Sequence, residues 1–153
     1  MILHRLVSKD YIEDREGIGA KLFGGRWNEV NYPCLYASAT LSLALLEKFV
    51  HAQFKEHMRN LAVLEIEILN ADDIFHVDET RLQKEWISDV NYTQWIGKQL
   101  LEDSSVVAFS VPSVIVTSER NYVINTQADS FREVKFKKVS DFFTDNRLMN
   151  SLF

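Results

Sequence analysis

The residues best suited to chemistry form a glycine-rich segment, Gly24-Gly25-Arg26-Trp27-Asn28. Four of the chain's five glycines lie between positions 17 and 25. Such clustering is typical of a backbone that turns sharply or lies close to a ligand. Arginine offers a planar fork of five N–H donors suited to phosphate or carboxylate. The segment lacks both the Lys-Ser/Thr ending of a phosphate loop and the dinucleotide-binding spacing, so a ligand loop and a surface turn anchored by Trp27 both remain open.

Glu47 is a second candidate, because it follows a helical turn, Leu41 to Leu46, that is apolar on nearly every side. A carboxylate that leaves such a helix needs either a partner or water, since burying an unpaired charge is costly. Glu47 is therefore either a site residue or the first solvated residue of a helix that turns polar.

Three further polar residues lie in short strand-like segments: Tyr36, Ser113 and Asn121. Tyr36, within Leu35-Tyr36-Ala37-Ser38, would ordinarily pack in a core with its hydroxyl satisfied. Ser113 follows Pro112 at a strand break, where a hydroxyl can face a cleft. Asparagine at a strand end most often serves turn chemistry.

The sequence predicts no metal site. It contains no His-Glu-x-x-His motif, no cysteine pair and no calcium-loop spacing. His51 and His57 are six residues apart and would face different directions on a helix. The single cysteine, Cys34, is expected to be a small buried hydrophobic residue rather than a nucleophile.

Apolar periodicity predicts the elements that position these residues. A polar loop is expected from the first strand to about Pro33, and Lys135, Lys137 and Lys138 are expected on an edge strand. The predicted strands cover 2–7, 34–38, 61–69, 106–109, 114–117, 122–124 and 131–139, and the predicted helices 41–57, 80–86 and 92–101. Strands at both ends and in the middle, with helices between them, indicate a single α+β domain over residues 1–153.

Composition narrows the class of protein. The 153 residues are 46% hydrophobic and 25% charged, which fits one globular domain. The net charge is -5, and residues 61–120 contain 4 basic and 11 acidic side chains, which argues against direct nucleic-acid binding. No apolar run reaches the length of a membrane span, and early charges exclude a signal-peptide core. A soluble, cytoplasmic protein is expected.

Together, these segments resemble the RES-domain family, the toxin components of RES–Xre toxin–antitoxin pairs. The motifs follow one another in order over most of the chain. They are His4-Arg5, GGRWN (24–28), LYAS (35–38), LALLE (43–47), Trp95-x-Gly97, VPSVIV (111–116), Asn121 to Asn125 and Asp145-x-Arg147-Leu148. One departure is Ala128, where many relatives have histidine.

The resemblance implies an ADP-ribosyltransferase-like fold, a mixed β core with flanking helices, and an enzyme that consumes NAD without a metal. It places Glu47, Arg26 and Tyr36 in the catalytic centre. It also implies that Arg26, Gly25, Tyr36, Ser113 and Asn121 bind NAD. The implied partner is an Xre-type helix-turn-helix antitoxin that covers the cleft and forms a hetero-oligomer with the toxin.

Three functions follow from this interpretation. The preferred one is a bacterial toxin that cleaves the nicotinamide–ribose bond of NAD by hydrolysis or phosphorolysis. The second is a protein ADP-ribosyltransferase with the same fold, and the third is a nucleotide- or partner-binding module without turnover. The combination of arginine, tyrosine and glutamate favours the enzymes, because a binder has no need of the carboxylate.

Overall fold

The computed structural model describes residues 1–152 and contains one mixed sheet of seven strands. The strands are β1 (Ile2–Ser8), β2 (Leu35–Ser38), β3 (Leu61–Glu67), β4 (Ile74–His76), β5 (Ala108–Pro112), β6 (Arg120–Ile124) and β7 (Lys135–Phe142). The helices are α1 (Ile18–Phe23), α2 (Leu41–His51), α3 (Val90–Leu101) and α4 (Asn146–Leu152). The α+β prediction is confirmed. Within the described residues, no helix is both long enough and apolar enough to cross a membrane.

The sheet has a weak seam near its middle. Its order is β4-β5-β6-β2-β1-β3-β7, and all neighbours are antiparallel except β4 and β5. β1 and β3 pair along seven residues, whereas β1 and β2 meet at the single pair His4 and Ser38. Beyond that pair β1 and β2 form no further register pairs, so few backbone hydrogen bonds join the two parts of the sheet.

Three apolar clusters cover the sheet. The first includes Leu3, Leu35 and Ile66, and the third packs Ala44 of α2 against Met58 and Leu61. The second cluster lies beneath the loop that contains Arg26. Its buried members are Trp27, Cys34, Val77, Trp86, Leu101, Phe109, Val111 and Val123. Trp27 and Trp86 pack with ring centroids 5.9 Å apart, so the tryptophan of the glycine-rich segment anchors that loop in the core.

The helix that carries Glu47 is shorter than its sequence predicts. Thr40 caps the N-terminus of α2, where its hydroxyl accepts a hydrogen bond from the Leu43 N–H at 3.1 Å. The helix ends at His51, because Ala52 adopts an extended conformation, and a separate 3-10 helix covers Lys55–Met58. The apolar period continues across this break, which explains why a helix to residue 57 was expected.

The polar loop predicted before Pro33 contains α1. The Asp14 carboxylate accepts hydrogen bonds from the N–H groups of Gly17, Ile18 and Gly19, at 3.0, 3.0 and 3.2 Å. Although burial raises the pKa of Asp14, these bonds outweigh it and hold that pKa below its ordinary value. A six-residue helix with no buried residue has no apolar period, so the sequence did not reveal it.

Several other boundaries differ from the prediction. The strand predicted at 106–109 is β5, which starts and ends later than predicted, and Pro112 ends it, as expected. The predicted strand at 114–117 is a turn, and the helix at 80–86 is replaced by 3-10 turns at Glu79–Arg81 and Trp86–Ser88. β4 and α4 were not predicted. By contrast, β7 is an edge strand with its lysines exposed, and Cys34 is buried, as expected.

Gly97 of α3 lies directly against the backbone of the glycine-rich segment. A Cβ at this position would lie 1.6 Å from the carbonyl oxygen of Trp27, so no side chain fits without moving the helix. We expect Gly97→Ala to destabilise the fold by about 1–3 kcal/mol, the usual cost of overpacking. The melting temperature should fall by roughly 2–4 °C for each kcal/mol of stability lost.

Gly19→Ala is the matched control for Gly97→Ala. Gly19 is also helical, but a Cβ there would meet only an Asp14 carboxylate oxygen, at 3.8 Å. Alanine favours a helix over glycine, so this variant should melt at or above the wild-type temperature. If the two variants had the same melting temperature, the close packing of α3 on Trp27 would be contradicted.

Candidate active site

Glu47 is held by two neutral hydrogen-bond donors that act on the same carboxylate oxygen. Its Oε1 accepts from Asn121 Nδ2 at 2.6 Å and from Ser113 Oγ at 3.2 Å. The Ser113 hydroxyl accepts N–H bonds from Ile115 and Val116, both at 3.1 Å, so its own proton is directed to Glu47. The Glu47 side chain is 25% exposed. The carboxylate is thus a positioned group, not the solvated helix residue that its local sequence allowed.

The second oxygen of Glu47 is the less constrained one. Oε2 lies 3.8 Å from His51 Nε2, one helical turn further along α2, and the His51 side chain is 80% exposed. This contact is too long for a hydrogen bond. Since Oε1 is occupied by protein donors, Oε2 is the oxygen that can interact with a ligand.

Tyr36 has its hydroxyl fully engaged within the protein. The O–H donates to Asn28 Oδ1 at 2.6 Å and accepts from the Trp27 N–H at 3.1 Å. Burial raises the pKa of Tyr36 well above its ordinary value, so the phenol stays protonated. Gly25 makes room for this hydroxyl, because a Cβ there would lie 2.7 Å from it. The ring, and not the hydroxyl, is therefore the part of Tyr36 that can contact a ligand.

Arg26 is held by the elements around α3. Its guanidinium donates from Nη1 to the Ile87 carbonyl at 2.7 Å, and its own carbonyl accepts from Thr93 Oγ1 at 2.6 Å. Gln94 adds a hydrogen bond to the Gly25 carbonyl at 2.9 Å. Among residues 1–152, Arg26 forms no ion pair, so its other N–H donors remain available for an anion.

Arg5, of the His4-Arg5 motif, is a further cation next to Tyr36. It lies on β1 and donates from Nη1 to the Tyr36 carbonyl on β2 at 2.8 Å. Burial lowers its pKa, and within residues 1–152 no carboxylate pairs with it. Lys48 has a pKa lowered by burial and by repulsion from Arg5. An arginine next to His4, with apolar residues on both sides, was the available signal in the sequence.

The structure gathers the predicted residues into two groups. Glu47, Ser113 and Asn121 are in direct contact. Gly25 lies against the Tyr36 hydroxyl, which also binds the N–H of the residue after Arg26. Ala128, where many relatives have histidine, is instead buried in the first apolar cluster. Within the described residues, no three His, Cys, Asp or Glu side chains are grouped as metal ligands.

Comparison with known proteins places this arrangement in a family. The RES domain model matches residues 2–145, which is nearly the whole chain. The chain belongs to the RES domain family. This RES chain is 37% identical to "Toxin Res" of Photorhabdus laumondii over 156 residues, with 99% of each chain covered. It is 32% identical to the "Prs ADP-ribosylating toxin" of a Sphingobium species, over 90% of this chain and 88% of that protein.

A solved structure shares the fold of this RES chain. The similarity is to the crystal structure of the MbcT–MbcA toxin–antitoxin complex of M. tuberculosis, with a TM-score of 0.67. The match covers 99% of this chain and 87% of that one, at 17% sequence identity. At this identity the likeness shows the fold, which is that of a chain in a toxin–antitoxin complex.

Proposed function

We propose that this protein is the toxin of a bacterial toxin–antitoxin pair and that it cleaves the nicotinamide–ribose bond of NAD. The observation that carries the proposal is that the two carboxylate oxygens of Glu47 have different surroundings. Two neutral donors hold Oε1, and Oε2 remains for a ligand. Family membership and the named toxin relatives support the same function.

The cations of the site fit a dinucleotide. Arg26 has free N–H donors suited to a pyrophosphate, and charge-assisted bonds to phosphate are among the stronger hydrogen bonds of proteins. Arg5 adds positive charge next to Tyr36. The ring of Tyr36, whose hydroxyl is anchored, presents a flat surface beside which nicotinamide can pack.

The reaction needs no nucleophilic side chain. The bond between the ribose C1′ and the nicotinamide nitrogen breaks, and its electron pair neutralises the positive nicotinamide ring as that ring leaves. Positive charge develops on the ribosyl group, as in other glycosidic cleavages. The Glu47 carboxylate stabilises that charge through Oε2. Water or phosphate then bonds to C1′ through oxygen and releases its proton to solvent, which gives ADP-ribose or its phosphate ester.

The direct test is to incubate the purified protein with NAD and to separate the products by chromatography. Free nicotinamide must appear in a one-to-one ratio with NAD lost. ADP-ribose in plain buffer, and a phosphorylated ADP-ribose when phosphate is added, distinguish hydrolysis from phosphorolysis. If NAD stays intact while the protein is folded, the proposal is wrong.

A second candidate reaction is transfer of ADP-ribose to a protein. The Sphingobium relative, whose name describes an ADP-ribosylating toxin, favours it. The site chemistry is the same up to the ribosyl cation, and only the acceptor differs. NAD labelled in the adenylate phosphate separates the two functions, because transfer leaves the label on protein and cleavage leaves it on small molecules.

The proposed partner is an Xre-type antitoxin that covers the cleft formed by Arg26, Tyr36 and Glu47. The complex of the structural neighbour supports an antitoxin partner. DNA binding by the pair belongs to that antitoxin, because this chain has a net charge of -5. Expression of the chain alone should stop growth, and co-expression of the neighbouring helix-turn-helix gene should restore it. A chain that is harmless alone would contradict the pairing.

A further inference from the structure

Ser38 touches the network that holds Glu47 without touching Glu47 itself. It is 3% exposed, and its Oγ lies 2.7 Å from Asn121 Oδ1. Asn121 Nδ2 in turn lies 2.6 Å from Glu47 Oε1. Ser38 and Asn121 are also paired in register between β2 and β6. The hydrogen bonds therefore run from β2 through β6 to α2.

Chemistry fixes the direction of these bonds. An ionised carboxylate only accepts, so Asn121 must present its NH2 group to Glu47. Its carbonyl oxygen then faces Ser38, and since a carbonyl also only accepts, the Ser38 hydroxyl must donate. Each group donates toward Glu47.

We propose that Ser38 is a positioning residue for Glu47 and that it acts through Asn121. Its hydroxyl fixes the rotation of the Asn121 amide and polarises the N–H that binds Oε1, because hydrogen bonds in a chain strengthen one another. This keeps Oε1 engaged and Oε2 directed to the cleft. The predicted effect on turnover rests on the proposed NAD cleavage, whereas the effect on Asn121 does not.

We expect Ser38→Ala to lower kcat for NAD cleavage by about 2- to 13-fold, the range for loss of one neutral hydrogen bond. KM should change less than kcat, because both polar atoms of the Asn121 amide are engaged by Ser38 and Glu47. Ser42→Ala is the matched control, since Ser42 is exposed on the first turn of α2. It should leave both constants unchanged.

A double-mutant cycle separates positioning from a general effect on folding. In an Asn121→Ala background the path to Glu47 is missing, so Ser38→Ala should change kcat by less than about 1.5-fold. Any destabilisation by Ser38→Ala is present in both arms and cancels. If the fold losses in kcat of the two single variants multiply in the double variant, the proposal is overturned.

NMR gives a readout that does not depend on activity. The side-chain amide signals of Asn121, assigned by their loss in Asn121→Ala, should shift in Ser38→Ala and stay in place in Ser42→Ala. If they shift but the wild-type protein leaves NAD intact, the positioning holds and the proposed function fails. If NAD is cleaved but the signals do not move, the function holds and the positioning is wrong.

Discussion

Glu47→Gln should lower NAD cleavage by about 10²- to 10³-fold, the loss seen when one group that stabilises a transition state is removed. The structure explains why this variant should keep its geometry. The Gln carbonyl oxygen can replace Oε1 and accept from Asn121 and Ser113 as before. The amide NH2 then replaces Oε2, so a hydrogen-bond donor faces the developing cation where a negative charge stood.

The measurement is NAD remaining after incubation with equal amounts of folded protein. Thermal melting should show an unchanged or slightly raised stability, because a partly buried charge has been removed. Glu56→Gln is the matched control, since Glu56 is exposed in the 3-10 helix Lys55–Met58. Equal turnover by wild type and Glu47→Gln would refute the assigned role of the carboxylate.

Arg26→Ala should weaken NAD use by about 10- to 200-fold, the equivalent of a charge-assisted bond of roughly 1.5–3 kcal/mol. The structure indicates that the loss should appear mainly in KM. Arg26 keeps one N–H bond to the Ile87 carbonyl, which holds the guanidinium without using its remaining donors. Arg26→Lys should recover only part of the activity, because the two-pronged fork is lost.

Arg132→Ala controls for the change in net charge, because Arg132 is exposed on the short 3-10 helix Phe131–Glu133. The kcat and KM of each variant are measured at fixed ionic strength. Full activity in Arg26→Ala would remove this arginine from the site.

The parts of the fold that could be predicted are those with a strong local pattern. β3 alternates between apolar and acidic residues from Leu64 to Glu67, and α2 begins at a capping threonine before an apolar run. Where the local pattern is silent or misleading, the prediction failed. α1 depends on a single carboxylate that caps it, and residues 114–116 follow the β-branched pattern of a strand but form a turn closed by the Ser113 hydroxyl.

Residue type and local pattern marked the site residues as candidates, and the family motifs assigned their roles. Glu47 contacts Asn121 and Ser113 across sequence separations of 74 and 66 residues, and no local pattern encodes such a contact. Arg5 was a motif residue without an assigned role, because only the pairing of β1 with β2 makes it a neighbour of Tyr36. Ser38 looked like an ordinary strand residue, since its importance depends on which way the Asn121 amide points.

The single residue pair between β1 and β2 has a consequence for how the domain opens. A long ladder joins β1 to β3, so each side of the seam can unfold locally at a lower free energy than the whole domain. Backbone amides along the seam should exchange with deuterium faster than those of the β1–β3 ladder. A ligand that contacts the residues on both sides of the seam would suppress this opening. The binding free energy of that ligand could then be obtained from the slower amide exchange.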